Sequence, residues 1–215
     1  MAPTIPLLAS KEISVRQALA GPHRALCEAA IHVELDKMLV KHKAFVPIEE
    51  KDIPLDAARI YSRMFIKEKF TGAGYHVKVG ARLAAGGNRQ PSDSYFDTFA
   101  PIVDETVDKL IVAAFYADAI KNGYTEDMTL CDFDVPGAFL NIPLDTTNCP
   151  RPIVMRLSAD LPHPLAGPWV LLKKGVYGLK QLNNMFGKEL RHQFTLVGFS
   201  SDPPGTVCFL QGGPC

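Results

Sequence analysis

No sign of charge predominates in this chain. Its 215 residues hold 23 Lys plus Arg and 23 Asp plus Glu, a formal net charge of zero. Nucleic-acid binders usually carry a basic excess, so the overall charge offers no support for such a partner, and any basic surface has to be local. Cysteine is sparse and scattered. Cys27, Cys131, Cys149, Cys208 and Cys215 are odd in number and none forms C-x-x-C, which argues against a disulfide framework or a zinc site and for reduced thiols in an intracellular compartment. The apolar start, Met1 to Ser10, has no basic residue before it and is too short for a signal peptide. No apolar run approaches the roughly 20 residues of a membrane span. The glycine-rich stretch from Gly72 to Gly87 contains neither G-x-x-x-x-G-K-[ST] nor a G-x-G-x-x-G opening a helix, which argues against a phosphate loop. Nucleophilic hydrolysis has no support either, because G-x-S-x-G and any local Cys/His signature are missing. The six histidines show no paired metal spacing, and His76, His163 and His192 read as surface residues. No internal repeat or low-complexity tract is visible.

What is present fits one globular unit. Hydrophobic residues make up 47% and charged residues 21%, ordinary for a folded chain and wrong for a disordered one. Residues 1–12 read as a loose tail. From Pro22, Cys27, Ile31, Leu35 and Met38 repeat at helical spacing and make one apolar stripe, ended by Pro47 and the charged run 49–52. Ile60 to Phe70 and Tyr75 to Ala84 read as a β-hairpin around the turn at 71–74. A polar loop covers Gln90 to Asp97. A helix follows Pro101, with Val107, Leu110, Ile111 and Ala114 on one face and Gly123 as its stop. Thr129 to Val135 reads as a buried strand. A proline-rich connection over 142–168 surrounds a short strand at Ile153–Leu157. Trp169 to Lys173 reads as a strand, 180–195 as a helix, and Val207 to Leu210 as the opening of a last strand.

The segment Cys131-Asp132-Phe133-Asp134-Val135 carries the most chemical information. In a strand Asp132 and Asp134 point to one side and Cys131, Phe133 and Val135 to the other. Two carboxylates at a strand end can hold a divalent cation through hard oxygen ligands, and paired metals are a recurrent device of phosphoryl transfer. The same spacing describes two acids on a solvated strand face, which is the commoner case. Arg82, with Lys78 nearby on the hairpin, has the forked geometry that clamps phosphate, although surface arginines are common. The stretch Leu172 to Gln181 mixes Lys173, Lys174, Tyr177 and Lys180 with two glycines. It describes a nucleic-acid backbone contact, with Tyr177 or Gln181 near a base, as well as it describes a charged loop.

Several segments together resemble one family. Asp134-Val135-Pro136-Gly137-Ala138-Phe139-Leu140-Asn141, with Leu144, is similar to the D-V-x-x-A-F-L-N-x-x-L block of copia-type retrotransposon reverse transcriptases. Leu172-Lys173-Lys174-Gly175-Val176-Tyr177-Gly178-Leu179-Lys180-Gln181 resembles their L-x-K-S-L-Y-G-L-K-Q block. Ala81-Arg82-Leu83, with Ala85 and Gly87, resembles K-A-R-L-V-A-K-G, and Phe99-Ala100-Pro101-Ile102-Val103 resembles F-S-P-V-V. Glu34-Leu35 after Gly21-Pro22 fits the family's first helix. Gly198-Phe199 and Ser201-Asp202-Pro203 fit its later G-F-x-x-S-x-x-D-P region. The blocks occur in family order from about residue 13 to 211.

The resemblance implies an α+β fold: the fingers and a partial palm of a right-hand polymerase, with helices on an antiparallel sheet, over 13–211 between tails 1–12 and 212–215. It implies RNA-directed DNA polymerase chemistry, with Mg2+ or Mn2+ held by Asp134 and, more weakly, Asp132. Phe139 would lie beneath the incoming sugar, Arg82 would meet the nucleotide's phosphates, and Gln181 would sit by the nucleotide or template. Lys173, Lys174, Tyr177 and Lys180 would touch nucleic acid. The implied partners are an RNA or DNA primer–template, a deoxynucleoside triphosphate and the rest of a polyprotein, in the cytoplasm, a virus-like particle or the nucleus. The chain also departs from the family. Gly80 and Gly86 replace its two lysines, Cys27 stands for its tryptophan, and Leu182-Asn183-Asn184-Met185-Phe186-Gly187 replaces A-P-R-x-W-Y. Beyond Asp134 the aspartates are Asp145, Asp160 and Asp202, so the adjacent pair of the family's Y-x-D-D hairpin is missing. These 215 residues are therefore expected to be inactive alone. A non-catalytic nucleic-acid-binding remnant, a structural relic, and a metal-dependent nuclease using Asp132 and Asp134 are the other function classes.

Overall fold

The computed structural model describes residues 9–71, 76–100, 105–123, 135–200 and 210–211. Strand β1 (Ala9–Ile13) leads into α1 (Val15–Ala20) and α2 (Arg24–Asp36). Then come β2 (Phe45–Ile48), β3 (Ala58–Phe70), β4 (His76–Ala85) and α3 (Glu105–Asn122), followed by β5 (Ile153–Arg156), β6 (Trp169–Leu172), α4 (Leu182–Leu196), β7 (Phe199–Ser200) and β8 (Leu210–Gln211). Of the strand expected at Thr129–Val135, residues 129–134 lie outside the described residues and Val135 is not in a strand; the turn at 72–74 and most of Val207–Leu210 also lie outside them.

Local chemistry accounts for the helices. Ser14 and Gln17 form a reciprocal capping box at α1: the Gln17 N–H donates to Ser14 Oγ and the Ser14 N–H to Gln17 Oε1. The stripe Cys27, Ile31, Leu35 and Met38 is fully buried, with Met38 reached through a π-helical turn at Lys37–Lys41. It packs beneath the β3–β4 hairpin, whose inward residues Ile60, Met64, Ile66 and Leu83 join it in one core. Along β3 even-numbered residues face that core while odd-numbered ones face out, as a half-buried strand requires. On α3, Leu110 and Ala114 of the expected apolar face are exposed among the described residues.

The principal sheet runs β1-β3-β5-β6-β2, with β4 also paired to β3. It is mixed, where an antiparallel sheet is expected, because β3 and β5 run parallel. Parallel neighbours need a long crossover, and the chain between Phe70 and Ile153 supplies it. Residues 9–13, of which 9–12 are expected as tail, pair with β3 from Ala9↔Phe70 to Ile13↔Ile66. Pro47, expected to stop the helix, lies in β2, which pairs with β6. Pro47 is tolerated there because β2 is an edge strand, where no ladder partner misses its N–H.

One buried acid joins helix to hairpin. Glu34 is 7% exposed, accepts a hydrogen bond from the Leu83 N–H at 3.3 Å through Oε1, and has Oε2 3.7 Å from Lys37 Nζ. Burial pushes its carboxyl above the usual range, while Lys37 and the Leu83 bond pull the other way. The folded chain thus keeps this proton to higher pH than the unfolded chain. Stability from this group is greatest below its ordinary value of 4.5 and is lost as pH rises through the folded value. Glu34→Gln keeps an acceptor for Leu83 and is expected to flatten that decline. Glu34→Ala orphans a buried N–H and is expected to cost about 1–3 kcal/mol. Urea unfolding of the three proteins over a series of pH values from below 4.5 upward checks both outcomes.

Candidate functional site

The end of β4 and the loop from Lys173 to Gln181 touch backbone to backbone. The Ala85 N–H donates to the Tyr177 carbonyl at 2.6 Å. Gly178 sits at φ 97, and a Cβ on Gly87 would fall 1.8 Å from the Gly178 oxygen. Only glycine at both positions permits that approach. The contact fixes Tyr177 under β4. The Arg82 guanidinium lies 4.7 Å from the Tyr177 ring centroid, within cation–π range. The Phe139 ring meets Tyr177 edge-on at 5.4 Å, and Phe186 meets Phe139 at 6.1 Å. Phe139 stands on a 3-10 turn, Ala138–Asn141, launched by Gly137 at φ 65. Arg82, Tyr177 and Phe139, expected from three separate segments, therefore form one column.

Gln181 lies behind that column rather than in it. It is 1% exposed. Its Oε1 accepts from Gln90 Nε2 at 3.0 Å, and its own Nε2 donates to Cys149 Sγ at 3.6 Å. In this arrangement its amide braces the loop. Gln90 completes the brace, accepting the Lys180 N–H at 3.1 Å. The Lys180 ammonium leans on Tyr95, 5.4 Å from the ring centroid. Lys173 and Lys174 anchor the far end of the loop, both donating backbone N–H groups to the Ala44 carbonyl. Lys173 is exposed and Lys174 half-buried. Asp132 and Asp134 lie outside the described residues.

The outer face of the hairpin supplies what net charge hides. Phe65, Lys67 and Lys69 of β3 and Lys78, Gly80 and Arg82 of β4 line a groove of about 720 Å³ that Ser10 and Glu12 of β1 also border. The register sets Phe65 opposite Arg82 and Lys69 opposite Lys78. Lys67 lies between Glu12 and Gly80, and among the described residues, chain neighbours aside, no heavy atom lies within 4 Å of where a Gly80 Cβ would be. Four cations thus face one carboxylate. Sequence reading found Arg82 and Lys78 but not Lys67 and Lys69. Their two-residue spacing on an alternating strand is the signal that marks them.

The chain is similar to two retrovirus-related Pol polyproteins of Arabidopsis thaliana, those from transposon RE1 and transposon RE2. Identity is 28% and 29% over 154 residues, which is 70% of this chain and 10% of each relative. The chain spans about a tenth of the length of the curated relatives it matches. No protein-family model and no solved structure matches it. The similarity ties the chain to retrotransposon Pol polyproteins. Among the described residues no helix is long and apolar enough to cross a membrane.

Proposed function

We propose that this chain is a fingers-and-palm piece of a copia-type reverse transcriptase, and that by itself it binds nucleic acid without extending it. The column Arg82–Tyr177–Phe139 carries this reading. It joins the three motif blocks that resemble the family, and it stands beside a groove lined with cations. Phosphate groups suit that groove, since Arg82 offers a planar fork and the lysines offer point charges. In the intact polymerase a primer 3′-hydroxyl attacks the α-phosphate and pyrophosphate leaves. Divalent cations held by Asp134, with Asp132, would stabilise the attacking and leaving oxygens. Phe139, five residues after Asp134, would limit the space at the sugar. Arg82 and its lysine neighbours would hold phosphates, with Lys173, Lys174 and Lys180 along the nucleic-acid backbone. Gln181 acts as a positioning residue through Gln90 and the loop. The missing adjacent aspartates leave the metal set incomplete in these 215 residues.

Primer extension on an RNA template with Mg2+ or Mn2+ is expected to give no product from the 215-residue chain. The same chain is expected to bind the primer–template and to release it as salt rises. Template-dependent synthesis would overturn the inactivity. Salt-insensitive binding, or none by a folded chain, would overturn the phosphate groove.

A further inference from the structure

We propose a zinc-binding site formed by His23, Glu68 and His76, at the turn end of the hairpin and apart from the column described above. The three residues come from separate segments: the turn before α2, the inward face of β3, and the first residue of β4. One donor atom from each lies within 4.8 Å of the other two. Tetrahedral zinc holds its ligands at about 2.0–2.1 Å, which sets the donors roughly 3.4 Å apart, so side-chain movements of about 1 Å close the site. Two imidazoles and one carboxylate form a recurrent zinc donor set, with the fourth position open.

The site has groups in want of a partner. His76 Nε2 is buried and makes no hydrogen bond. Glu68 is 8% exposed, and no hydrogen bond or ion pair to it is found among the described residues. Lys11, opposite Glu68 in the β1–β3 register, lines the same cavity but forms no ion pair with it. The His23 and His76 rings stack at 4.0 Å with 23° between their planes, and Phe70 meets His76 edge-on. His23 and Glu68 open onto a cavity of about 320 Å³, which gives an ion a way in. Water takes the fourth position. Bound zinc would staple the hairpin to the α1–α2 turn. The spacing of the cysteines argues against a zinc site, and the residues that build this one are histidines and a glutamate brought together over 53 positions.

The 215-residue chain, purified with a reductant and stripped of metal, is titrated with Zn2+ against a chromophoric chelator. One equivalent is expected to bind. His23→Ala, His76→Ala and Glu68→Gln are each expected to weaken uptake by about a hundredfold or more, since even groups that only support a ligand cost 10–100-fold. Cys149→Ser serves as the control and is expected to leave uptake unchanged. X-ray absorption of the zinc-loaded, unsubstituted chain covers the case in which a variant fails to fold. Imidazole scattering with at most one sulfur supports the site. A sulfur-dominated shell, uptake unchanged by both histidine substitutions, or no stoichiometric uptake overturns it.

Discussion

Gly87→Ala is expected to unfold the chain, or to leave it with about 4 kcal/mol less stability, at the exceptional end for single substitutions. The added methyl would sit 1.8 Å from the Gly178 oxygen and 2.9 Å from its carbonyl carbon. Both obstacles are backbone, so no side-chain rotation relieves them. Either the Ala85–Tyr177 hydrogen bond breaks or the loop moves away, and Tyr177 leaves Arg82 in both cases. Gly178→Ala meets the Ala85 oxygen at 2.3 Å and adds the strain of φ 97, so a comparable loss is expected. Gly80→Ala is the control. Among the described residues, chain neighbours aside, no heavy atom lies within 4 Å of its added methyl, and the substitution restricts the unfolded chain, so a gain of about 0.4–1 kcal/mol is expected. Chemical denaturation of the three variants checks the order. A Gly87→Ala protein as stable as the parent would mean that β4 and the loop do not meet as described.

Changing Lys67, Lys69, Lys78 and Arg82 together to glutamine is expected to abolish most salt-sensitive nucleic-acid binding. Each phosphate neutralised on a duplex contributes about −0.9 to the slope of log affinity against log salt, so four contacts contribute about −3.6. Near 0.15 M salt that term is worth roughly a thousandfold in affinity. All four side chains are exposed, and surface substitutions of this kind usually stay within about 0.5 kcal/mol of neutral for folding. Binding and stability should therefore separate. Fluorescence anisotropy with a labelled primer–template over a range of salt measures the slope. An unchanged slope in the quadruple variant would remove the groove from the proposed function. Among the described residues Glu12 is the one acid bordering the groove, and Glu12→Gln is expected to strengthen binding.

The sequence was most legible where one physical rule acted alone. The stripe Cys27, Ile31, Leu35 and Met38 shows helical period, and all four are fully buried. The hairpin shows alternation and turn chemistry, and its strands lie within two residues of the expected bounds. Legibility failed where a local signal was overruled at a distance. Pro47 reads as a stop, yet an edge position lets it stay in a strand. Residues 9–13 have no pattern of their own and become a strand because β3 offers them a partner. Gln181 reads as a ligand contact because its motif sits among lysines and glycines. The structure shows a second reason for such a residue there, since its amide bridges Gln90 and Cys149. His23 and His76 could not be paired from spacing, because only the fold joins the α2 entrance to the hairpin.

Besides its ladder with β1, strand β3 belongs to two hydrogen-bond ladders in succession. Ala58 to Tyr61 pair with β5, and Ser62 to Phe70 pair with β4. Ser62 stands at the change of partner, and its hydroxyl is buried without a hydrogen bond. Thirteen residues of unbroken strand therefore work as a lever: a tilt of the hairpin tip cannot be absorbed locally and must twist the ladder holding β5 and β6. Amide exchange would register such rocking first at Tyr61 and Ser62, the fulcrum between the two ladders.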